Sequence, residues 1–356
     1  MNKMENFKLI SEPVEIFDSI LEDISEARRT ILLETFSFSN DEIGRKFLKA
    51  LVLKVREGVK VKVLVDAWGS DSNKKFFKEL IELGGEVKFF REFNLKVLFR
   101  NHNRNHRKLL VIDEKINYFG SANITAEGLD WLELVIRFEG NVSYTLIHAF
   151  DESWEGSSSF SPKELKNLAY KGFKIIRDIP SKICRSTQDR YIKMIRKAKS
   201  SIEITSPYFL PPSNIRRELF EAHKRGVKVR VIIPEESDWK LWNWLNIPDL
   251  LRSFYIGKFD QLGIEIYLSK KMLHSKMLVV DSKSFLFGSS NLDYRSLIHQ
   301  YEMNLVGHDA EIVDELGNYF EDVLKQSKKF NHKVWYKRGI VHKILEGLLW
   351  PIRKLF

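Results

Sequence analysis

The pattern His-x-Lys-x4-Asp occurs twice in this chain of 356 residues, and each copy is followed by a turn of small residues that ends in asparagine. The two copies supply His106, Lys108, Asp113 and Asn123, and then His274, Lys276, Asp281 and Asn291. A single short motif carries a high risk of coincidence. Two copies with matching turns indicate instead that the chain is built from two related halves.

The repeat extends beyond the motif. His106 and His274 are 168 residues apart, and so are Gly58 and Gly226. Each glycine opens a β-branched segment, Gly-Val-Lys-Val-Lys-Val in the first half and Gly-Val-Lys-Val-Arg-Val in the second. A strand-like segment therefore precedes the motif at one fixed distance in both halves, which predicts an internal duplication.

Hydrophobic periodicity predicts helices that alternate with strands in both halves. The predicted helices are 13–29, 41–57, 74–83, 142–154, 187–199, 213–225 and 238–262. The predicted strands are 31–38, 59–65, 87–90, 109–113, 117–119, 132–138, 202–206, 227–233, 264–268, 277–281, 284–287 and 302–306. This alternation is typical of a layered α/β fold with a mainly parallel sheet. We place the boundary near the Ser-rich connector 156–162, which gives a first half at 1–165, a second at 166–330 and a tail at 331–356.

The residue types in the motifs point to phosphoryl transfer through histidine. A neutral imidazole is a good nucleophile and a protonated one is a good acid, so two histidines can divide these roles around one phosphate. The two lysines supply positive charge and the two asparagines supply neutral donors for the phosphate oxygens. Asp113 and Asp281 end the motif strands, where hydrogen bonding to the following turn is the favoured role.

Each histidine also needs a partner that fixes its tautomer and ring orientation. Glu133 and Glu302 begin strands at similar distances beyond the two motifs, and we take them as the candidate carboxylates. No Asp/Glu/His cluster has the spacing of a metal site, so no metal or cofactor is expected. Cys184 is the single cysteine, which excludes an internal disulfide.

These residues resemble the phospholipase D superfamily, and within it the bacterial cardiolipin synthases, over about residues 15–325. The resemblance is carried by residues 105–113 and 119–124 in the first half, and by 273–281 and Gly288-Ser-Ser-Asn-Leu-Asp-Tyr-Arg-Ser296 with Glu302 in the second. It implies two pseudo-symmetric α/β/α halves with one active site between them, and a ping-pong reaction through a phosphatidyl-histidine. By the family pattern His106 is the nucleophile and His274 the acid and base, although both are chemically suitable for either role.

The chain departs from the family pattern at three points. Ala122 stands in the first turn where cardiolipin synthases usually have a Gly-Gly pair, and Gln300 stands where an asparagine commonly precedes the glutamate. The amino-terminal transmembrane helices of the major bacterial class are missing, and we recognise no signal peptide. These departures favour a soluble-type branch and leave the lipid acceptor open.

The substrate is inferred from charge and from amphipathic segments. The net charge of +10 permits nucleic acid or acidic lipid as partner. Residues 238–259, with three tryptophans, suit a lipid interface, base stacking or ordinary burial, and the loop 89–104 suits a path for acyl chains. The tail 333–356 reads as a basic amphipathic helix with six Lys/Arg and one acid, kinked near Pro351. Such a helix fits an anionic membrane, or else packs on the protein or on a second copy.

The preferred interpretation is a phosphatidyltransferase that makes cardiolipin from phosphatidylglycerol. We expect a cytoplasmic protein that lies peripherally on the inner face of the cell membrane, with phosphatidylglycerol and cardiolipin as its lipid partners and nucleic acid as an unlikely one. The alternatives are hydrolysis to phosphatidic acid, a nuclease of the same fold and a non-catalytic lipid-binding protein. The sequence leaves the oligomeric state open.

Overall fold

The computed structural model describes residues 6–91, 103–156, 168–170, 173–180, 185–238 and 246–355. Contacts divide the chain into two compact units, Met1–Cys184 with His299–Met303 and Arg185–Ile298 with Asn304–Phe356. The division falls after residue 184, whereas the sequence placed it at 165/166 and set 331–356 apart. The connector at 157–162, Cys184, the tryptophan segment 239–245 and the loop 92–102 lie outside the described residues.

The first unit holds one sheet with helices against it. In chain order its elements are β1 (Phe7–Ile10), α1 (Pro13–Glu26), β2 (Thr30–Thr35), α2 (Glu42–Arg56), β3 (Lys60–Asp66), α3 (Lys78–Glu82), β4 (Glu86–Phe90), β5 (Leu109–Ile112), β6 (Ile116–Gly120), β7 (Val135–Glu139), α4 (Val142–Glu155), β8 (Leu168–Tyr170) and β9 (Phe173–Asp178). Seven of the strands form a sheet in the order β1-β7-β6-β5-β2-β3-β4. The buried faces of α1 and α2 pack Ile16, Phe17, Phe47 and Leu51 into its core.

The second unit repeats this plan. Its elements are α5 (Ser186–Lys197), β10 (Ser201–Thr205), α6 (Ser213–Lys224), β11 (Lys228–Pro234), α7 (Ile247–Gln261), β12 (Glu265–Ser269), β13 (Met277–Val280), β14 (Ser284–Gly288), α8 (Tyr294–His299), β15 (Glu302–Gly307), α9 (Ala310–Lys325), β16 (Ser327–Lys329), α10 (His332–Tyr336) and α11 (Ile340–Leu349). The order β4-β3-β2-β5-β6-β7 of the first unit recurs here as β12-β11-β10-β13-β14-β15. This shared order confirms the predicted duplication of an α/β fold.

The predicted mainly parallel sheet is wrong. In the described part of the first sheet, β2–β3 and β3–β4 are parallel, whereas β1–β7, β2–β5, β5–β6 and β6–β7 are antiparallel. The motif strand β5 turns directly into β6, and a connection that short joins antiparallel neighbours. Each unit therefore contains a mixed sheet. The strand that follows the motif, β5 or β13, is the first antiparallel neighbour beside the parallel strands.

Several element boundaries also differ from the sequence prediction. The helix predicted at 238–262 is described only from Ile247, where Asn246 caps the amino end by accepting a hydrogen bond from the amide of Asp249. The helix predicted at 74–83 is confined to Lys78–Glu82, and the strand predicted at 31–38 ends at Thr35. Elsewhere in the described chain, the strands β1, β8, β9 and β16 and the helices α8 and α9 were not predicted.

The carboxyl-terminal segment forms helices that belong to the second unit. The Trp335 indole donates a hydrogen bond of 2.9 Å to the carbonyl oxygen of Ser253 on α7, and Trp350 lies 4.4 Å from Phe254 between ring centroids. α11 ends at Leu349, two residues before Pro351, where the kink is predicted, and a 3-10 turn follows. Within the described ranges, no helix combines the length and the apolar character needed to cross a bilayer.

Candidate active site

The first motif histidine is held by a buried carboxylate. The Nδ1 atom of His106 lies 3.0 and 3.2 Å from the two carboxylate oxygens of Glu302, and both side chains are buried. The backbone amide of His106 donates to the carbonyl oxygen of Tyr301 at 2.9 Å, which fixes the main chain beside the same carboxylate. Phe36 packs edge-on against the imidazole at 4.9 Å. A carboxylate at Nδ1 keeps the proton on that nitrogen and makes Nε2 the basic one.

The strand register identifies Glu133 as the counterpart of Glu302. Gly120 pairs with Val135 across β6 and β7, and Gly288 pairs with Asn304 across β14 and β15. Each glutamate stands two residues before the partner of its glycine. Glu133 is buried and accepts a hydrogen bond from the hydroxyl of Ser121.

The structure brings Glu302 to the histidine of the first motif, although Glu302 follows the second motif in sequence. The spacing along the sequence predicted the two carboxylates, Glu133 and Glu302, but did not predict which histidine each one contacts. The missing information lies in the strand that carries Glu302. Its residues Glu302 and Met303 belong to the first compact unit, and its remaining residues belong to the second.

The motif lysines are buried and turn back on their own histidines. The ammonium group of Lys108 donates to the carbonyl oxygen of His106 at 2.8 Å, and Lys276 donates in the same way to the carbonyl oxygen of His274. Successive side chains of an extended chain alternate between faces, so a histidine and a lysine two residues apart share one face. Each motif thus places an imidazole and a cation side by side.

The motif asparagines lie at equivalent bends of the two units. Asn123 is followed by Ile124, which bridges to Phe38, and Asn291 is followed by Leu292, which bridges to Phe209. The side-chain oxygen of Asn123 accepts from the backbone amide of Ser37 at 3.4 Å. Asn291 is also buried.

Asp293 lies in the segment 288–296 that follows the second motif, and no role was predicted for it from the sequence. Its carboxyl is buried, hydrogen-bonds with the side chain of Asn291 and accepts from the backbone amide of Ser296 at 2.7 Å. Burial raises the pKa of Asp293 to about 6, against the opposing effects of Ser296, Arg295 and Asn291. Asp293 therefore fixes the orientation of Asn291.

Asp113 and Asp281 lie away from the motif histidines. Asp113 accepts from the backbone amides of Arg28, Arg29 and Thr30 at 2.7 to 2.8 Å. Asp281 accepts in the same way from the amides of residues 199–201. Five residues of extended chain, about 17 Å, separate Asp113 from Lys108. The expected hydrogen bonds are present, but they go to the start of the neighbouring strand rather than to the following turn.

These hydrogen bonds also change the acidity of the two aspartates. Partial burial raises the pKa of each carboxyl, but the backbone amides outweigh this effect and the pKa of both Asp113 and Asp281 is lowered. An acceptor that stays ionised over a wide pH range keeps its hydrogen bonds to the neighbouring strand.

The segment before His106 is fixed by a buried ion pair. Asp66, the last residue of β3, accepts from the guanidinium of Arg104 at 2.8 Å and from the amide of Asn105 at 2.8 Å. The side-chain amide nitrogen of Asn105, as distinct from the backbone amide that donates to Asp66, donates to the carboxylate of Glu34 at 2.7 Å. Sequence reasoning missed these carboxylates, because a buried acid at a strand end has no distinctive spacing.

The two motifs differ at their central residue. Arg107 is buried and donates to the hydroxyl of Ser153 at 2.8 Å. Burial raises the pKa of the nearby Glu34 carboxyl, and the charge of Arg107 opposes that rise. In the second unit Ser275 lies 3.0 Å from the hydroxyl of Thr205. The central residue of the first motif therefore lies among charged groups, Arg107 and Glu34, whereas that of the second lies in a pair of hydroxyls, Ser275 and Thr205.

In the part of the chain that the structure describes, no group of three or more His, Cys, Asp or Glu side chains lies together as a candidate metal site.

Comparison with known proteins gives one consistent family. A family model described as "Cardiolipin synthase, PLD-like domain" matches residues 20–154 and 191–324. The major cardiolipin synthase of Bacillus subtilis is 33% identical, with 97% of this chain and 74% of that protein covered. Cardiolipin synthase 1 of Staphylococcus epidermidis is also 33% identical, with 96% of this chain and 72% of that protein covered.

Solved structures agree on the fold. Phosphatidylserine synthase of Haemophilus influenzae superposes with a TM-score of 0.80 at 14% identity, covering 99% of this chain and 96% of that one. Polyphosphate kinase of Porphyromonas gingivalis superposes with a TM-score of 0.64 at 13% identity, covering 99% of this chain and 54% of that one. At these identities the likeness concerns the fold alone.

Proposed function

Because this chain belongs to the cardiolipin synthase family of phospholipase D-like proteins, we propose that it joins two phosphatidylglycerol molecules into cardiolipin and releases glycerol. The chain is a phosphatidyltransferase of the phospholipase D type, and the donor and acceptor lipids are the proposed part. The main support is the match to cardiolipin synthases over nearly the whole chain, together with the buried His106–Glu302 pair.

The first half-reaction forms a covalent intermediate. Nε2 of His106 attacks the phosphorus of one phosphatidylglycerol, and the bond from phosphorus to the glycerol oxygen breaks. His274, in its protonated form, gives its proton to that oxygen, and glycerol leaves. The product of this step is a phosphatidyl group on His106 and a neutral His274.

The second half-reaction reverses these roles. Neutral His274 takes the proton from a hydroxyl of the head group of a second phosphatidylglycerol, and that oxygen attacks the phosphorus. The bond from phosphorus to His106 breaks, which yields cardiolipin and restores the starting protonation states. Water in place of the second lipid gives phosphatidic acid by the same steps.

The buried Glu302 supports His106 as the nucleophile. A carboxylate at Nδ1 keeps Nε2 basic in the resting enzyme and stabilises the positive charge that grows on the ring when Nε2 binds phosphorus. Glu133 occupies the equivalent register position in the first unit. Lys108, Lys276 and the asparagines 123 and 291 stabilise the negative charge that builds on the phosphate oxygens.

The proposed place of action is the inner face of the cell membrane, which the protein reaches from the cytoplasm. The net charge of +10 favours a surface rich in phosphatidylglycerol, because anionic lipids attract basic proteins. Phosphatidylglycerol is then both the substrate and the attracting charge.

The test is a product assay on the purified protein. Vesicles that contain phosphatidylglycerol should yield cardiolipin and glycerol in equal amounts, measured by lipid mass spectrometry and a glycerol assay. His106→Ala and His274→Ala should abolish the product. His148→Ala, which changes an exposed histidine of α4, is the matched control and should keep full activity.

Two other outcomes would replace the proposal. Phosphatidic acid as the main product would make the protein a hydrolase. Cleavage of DNA, with no lipid product and with salt-sensitive DNA binding, would make it a nuclease.

A further inference from the structure

α11 exposes a continuous aliphatic face. Ile340, Val341, Ile344 and Leu348 are 70%, 66%, 54% and 69% exposed. On an α-helix these positions fall within one stripe about 100° wide, so the four side chains form a single apolar surface. Single exposed aliphatic residues are ordinary, but a contiguous set on one helix marks an interaction surface.

The remaining side of the segment is used to attach it to the second unit. Trp335 donates from its indole nitrogen to Ser253, and Trp350 lies against Phe254 and Tyr255 at 4.4 and 5.0 Å between ring centroids. The tail therefore packs on the protein through its tryptophans, as one of the sequence alternatives expected. The aliphatic stripe of α11 remains exposed beside this attachment.

The charges around the stripe have one sign. Glu346 is the single acidic residue in 331–356, and its side chain is buried. Its two carboxylate oxygens accept hydrogen bonds from the guanidinium of Arg338 at 2.9 and 2.8 Å. Its negative charge is thus compensated inside the segment. Lys333, Lys337 and Lys343 are all exposed. The solvent side of the segment therefore combines aliphatic groups with lysines and displays no acid.

We propose that α11 is a docking surface for anionic phospholipid membranes. The aliphatic stripe enters the boundary between head groups and acyl chains, and the three lysines bind lipid phosphates. Charge decides between this occupant and a second copy of the chain, because two surfaces that carry only positive charge repel each other. The choice of a lipid surface rests on the proposed function, whereas the exposed stripe and its basic border do not.

The first experiment measures vesicle binding of the full-length protein by co-sedimentation. Ile344→Glu with Leu348→Glu places two negative charges in the stripe and should weaken binding to phosphatidylglycerol vesicles at least tenfold. Val14→Glu changes an aliphatic residue of α1 that is 60% exposed, and this matched control should bind like the original protein. Equal binding of the double variant and the control would overturn the proposal.

The second experiment tests the lysines. Replacing Lys333, Lys337 and Lys343 together by glutamine should remove most of the preference for phosphatidylglycerol over phosphatidylcholine vesicles and flatten the salt dependence of binding. Glutamine at Lys46, Lys49 and Lys75, which are exposed on the first unit, is the charge-matched control. A preference lost equally in both triple variants would indicate diffuse charge and would overturn the assignment to α11.

A third measurement separates docking from catalysis. Detergent-dispersed phosphatidylglycerol reaches the catalytic residues without a bilayer, so the Ile344→Glu, Leu348→Glu variant should lose activity on vesicles and keep it on micelles. Loss on both substrates, with unchanged vesicle binding, would contradict the docking role. Failure of the original protein to make cardiolipin on either substrate, with α11-dependent vesicle binding intact, would reject the proposed function and leave the docking surface standing.

The molecular mass in solution tests whether α11 instead contacts a second copy of the chain. The original protein and the double variant should have the same mass by light scattering. A change from dimer to monomer, with vesicle binding retained, would identify α11 as a contact between copies and overturn the proposal.

Discussion

At the scale of single residues, the position of a carboxylate determines what an imidazole can do. His106 has a buried carboxylate at Nδ1, so its tautomer is set before any substrate arrives. The sequence predicted the residue types and their spacing, because histidine, lysine and asparagine recur in phase. It did not predict the His106–Glu302 pairing or the role of Asp293, because both depend on which side chains the fold brings together.

The Glu302→Gln variant tests the orienting role. The amide keeps the size of the side chain but donates to Nδ1 from its nitrogen or accepts without negative charge, so the ring loses its fixed tautomer. We expect kcat to fall roughly 10²- to 10⁴-fold with little change in KM, as is typical when the partner of a catalytic histidine is neutralised. Steady-state kinetics against the exposed Glu22→Gln control measures this, and more than half of the original kcat in Glu302→Gln would refute the role.

Asp293 gives the stability a specific pH dependence. Its pKa is about 6 in the folded protein against an ordinary value of 3.8, so the folded state holds a proton that the unfolded state releases between these values. The contribution of Asp293 to stability is therefore greatest below pH 4 and declines as the pH rises to about 6, by up to about 3 kcal/mol. This decline is the cost of a buried charge.

The matching variant is Asp293→Asn, which does not titrate. Its free energy of unfolding relative to the original protein should rise between pH 4 and 6.5 and then stay level. Urea titrations at several pH values measure the difference, in which the titration of all other groups cancels. A difference that does not change with pH would show that Asp293 ionises normally.

At the scale of elements, each motif strand is joined to its neighbour at the end opposite the histidine. Asp113 and Asp281 sit in turns with positive φ values of 53° and 56°, which aspartate tolerates better than most residues. From there each accepts hydrogen bonds from three consecutive backbone amides at the start of β2 or β10. The aspartate of the motif therefore stabilises the strand that directly follows the histidine and the lysine.

Asp113→Ala and Asp281→Ala should act alike. Each removes an ionised acceptor of three amides and should lower the free energy of unfolding by about 2 kcal/mol or more, while the kcat of the folded protein stays within about twofold. Denaturant unfolding and kinetics at low temperature measure the two effects separately. Asp314→Ala, on the exposed side of α9, is the control. A large loss of kcat in a stable Asp113→Ala protein would instead indicate a catalytic role for this aspartate.

Element order was predictable, and strand direction was not. Periodicities of about 3.6 and 2 residues distinguish helices from strands, which explains the agreement from α1 to β7. A strand buried on both faces is a continuous apolar run whether its neighbours are parallel or antiparallel. β5 and β13 are such strands, and both are antiparallel to β2 or β10. The short turns that follow them carried the missing information.

At the scale of the whole molecule, two motifs in one chain should produce one covalent intermediate. If His106 attacks and His274 moves protons, phosphatidylglycerol labelled in its phosphate should leave a single label per chain on rapid denaturation in alkali, attached to His106. His274→Ala should form that label slowly and then hold it, because departure of glycerol needs the acid form of His274 and release of the phosphatidyl group needs its base form. Peptide mass mapping locates the label, and a label on His274 or two labels per chain would reject the division of roles.

The duplication was the most predictable property of the molecule, because it leaves a constant offset of 168 residues in the sequence. The differences between the halves were less accessible. Arg107 and Ser275 occupy the same position in the two motifs. Arg107 lies near the carboxyl of Glu34 on β2, whereas Ser275 lies near the hydroxyl of Thr205 on β10, so these surroundings depend on the neighbouring strand and not on the motif.

The location of Glu302 also has an evolutionary meaning. The histidine of the first repeat receives its carboxylate from the second repeat of the sequence, so a single repeat does not complete its own histidine pair. An ancestor with one repeat would have needed a second chain to provide that group. Gene duplication and fusion would have secured the partner permanently and freed each copy to change on its own. The charged surroundings of Arg107 and the uncharged ones of Ser275 are a divergence of the kind that such a fusion permits.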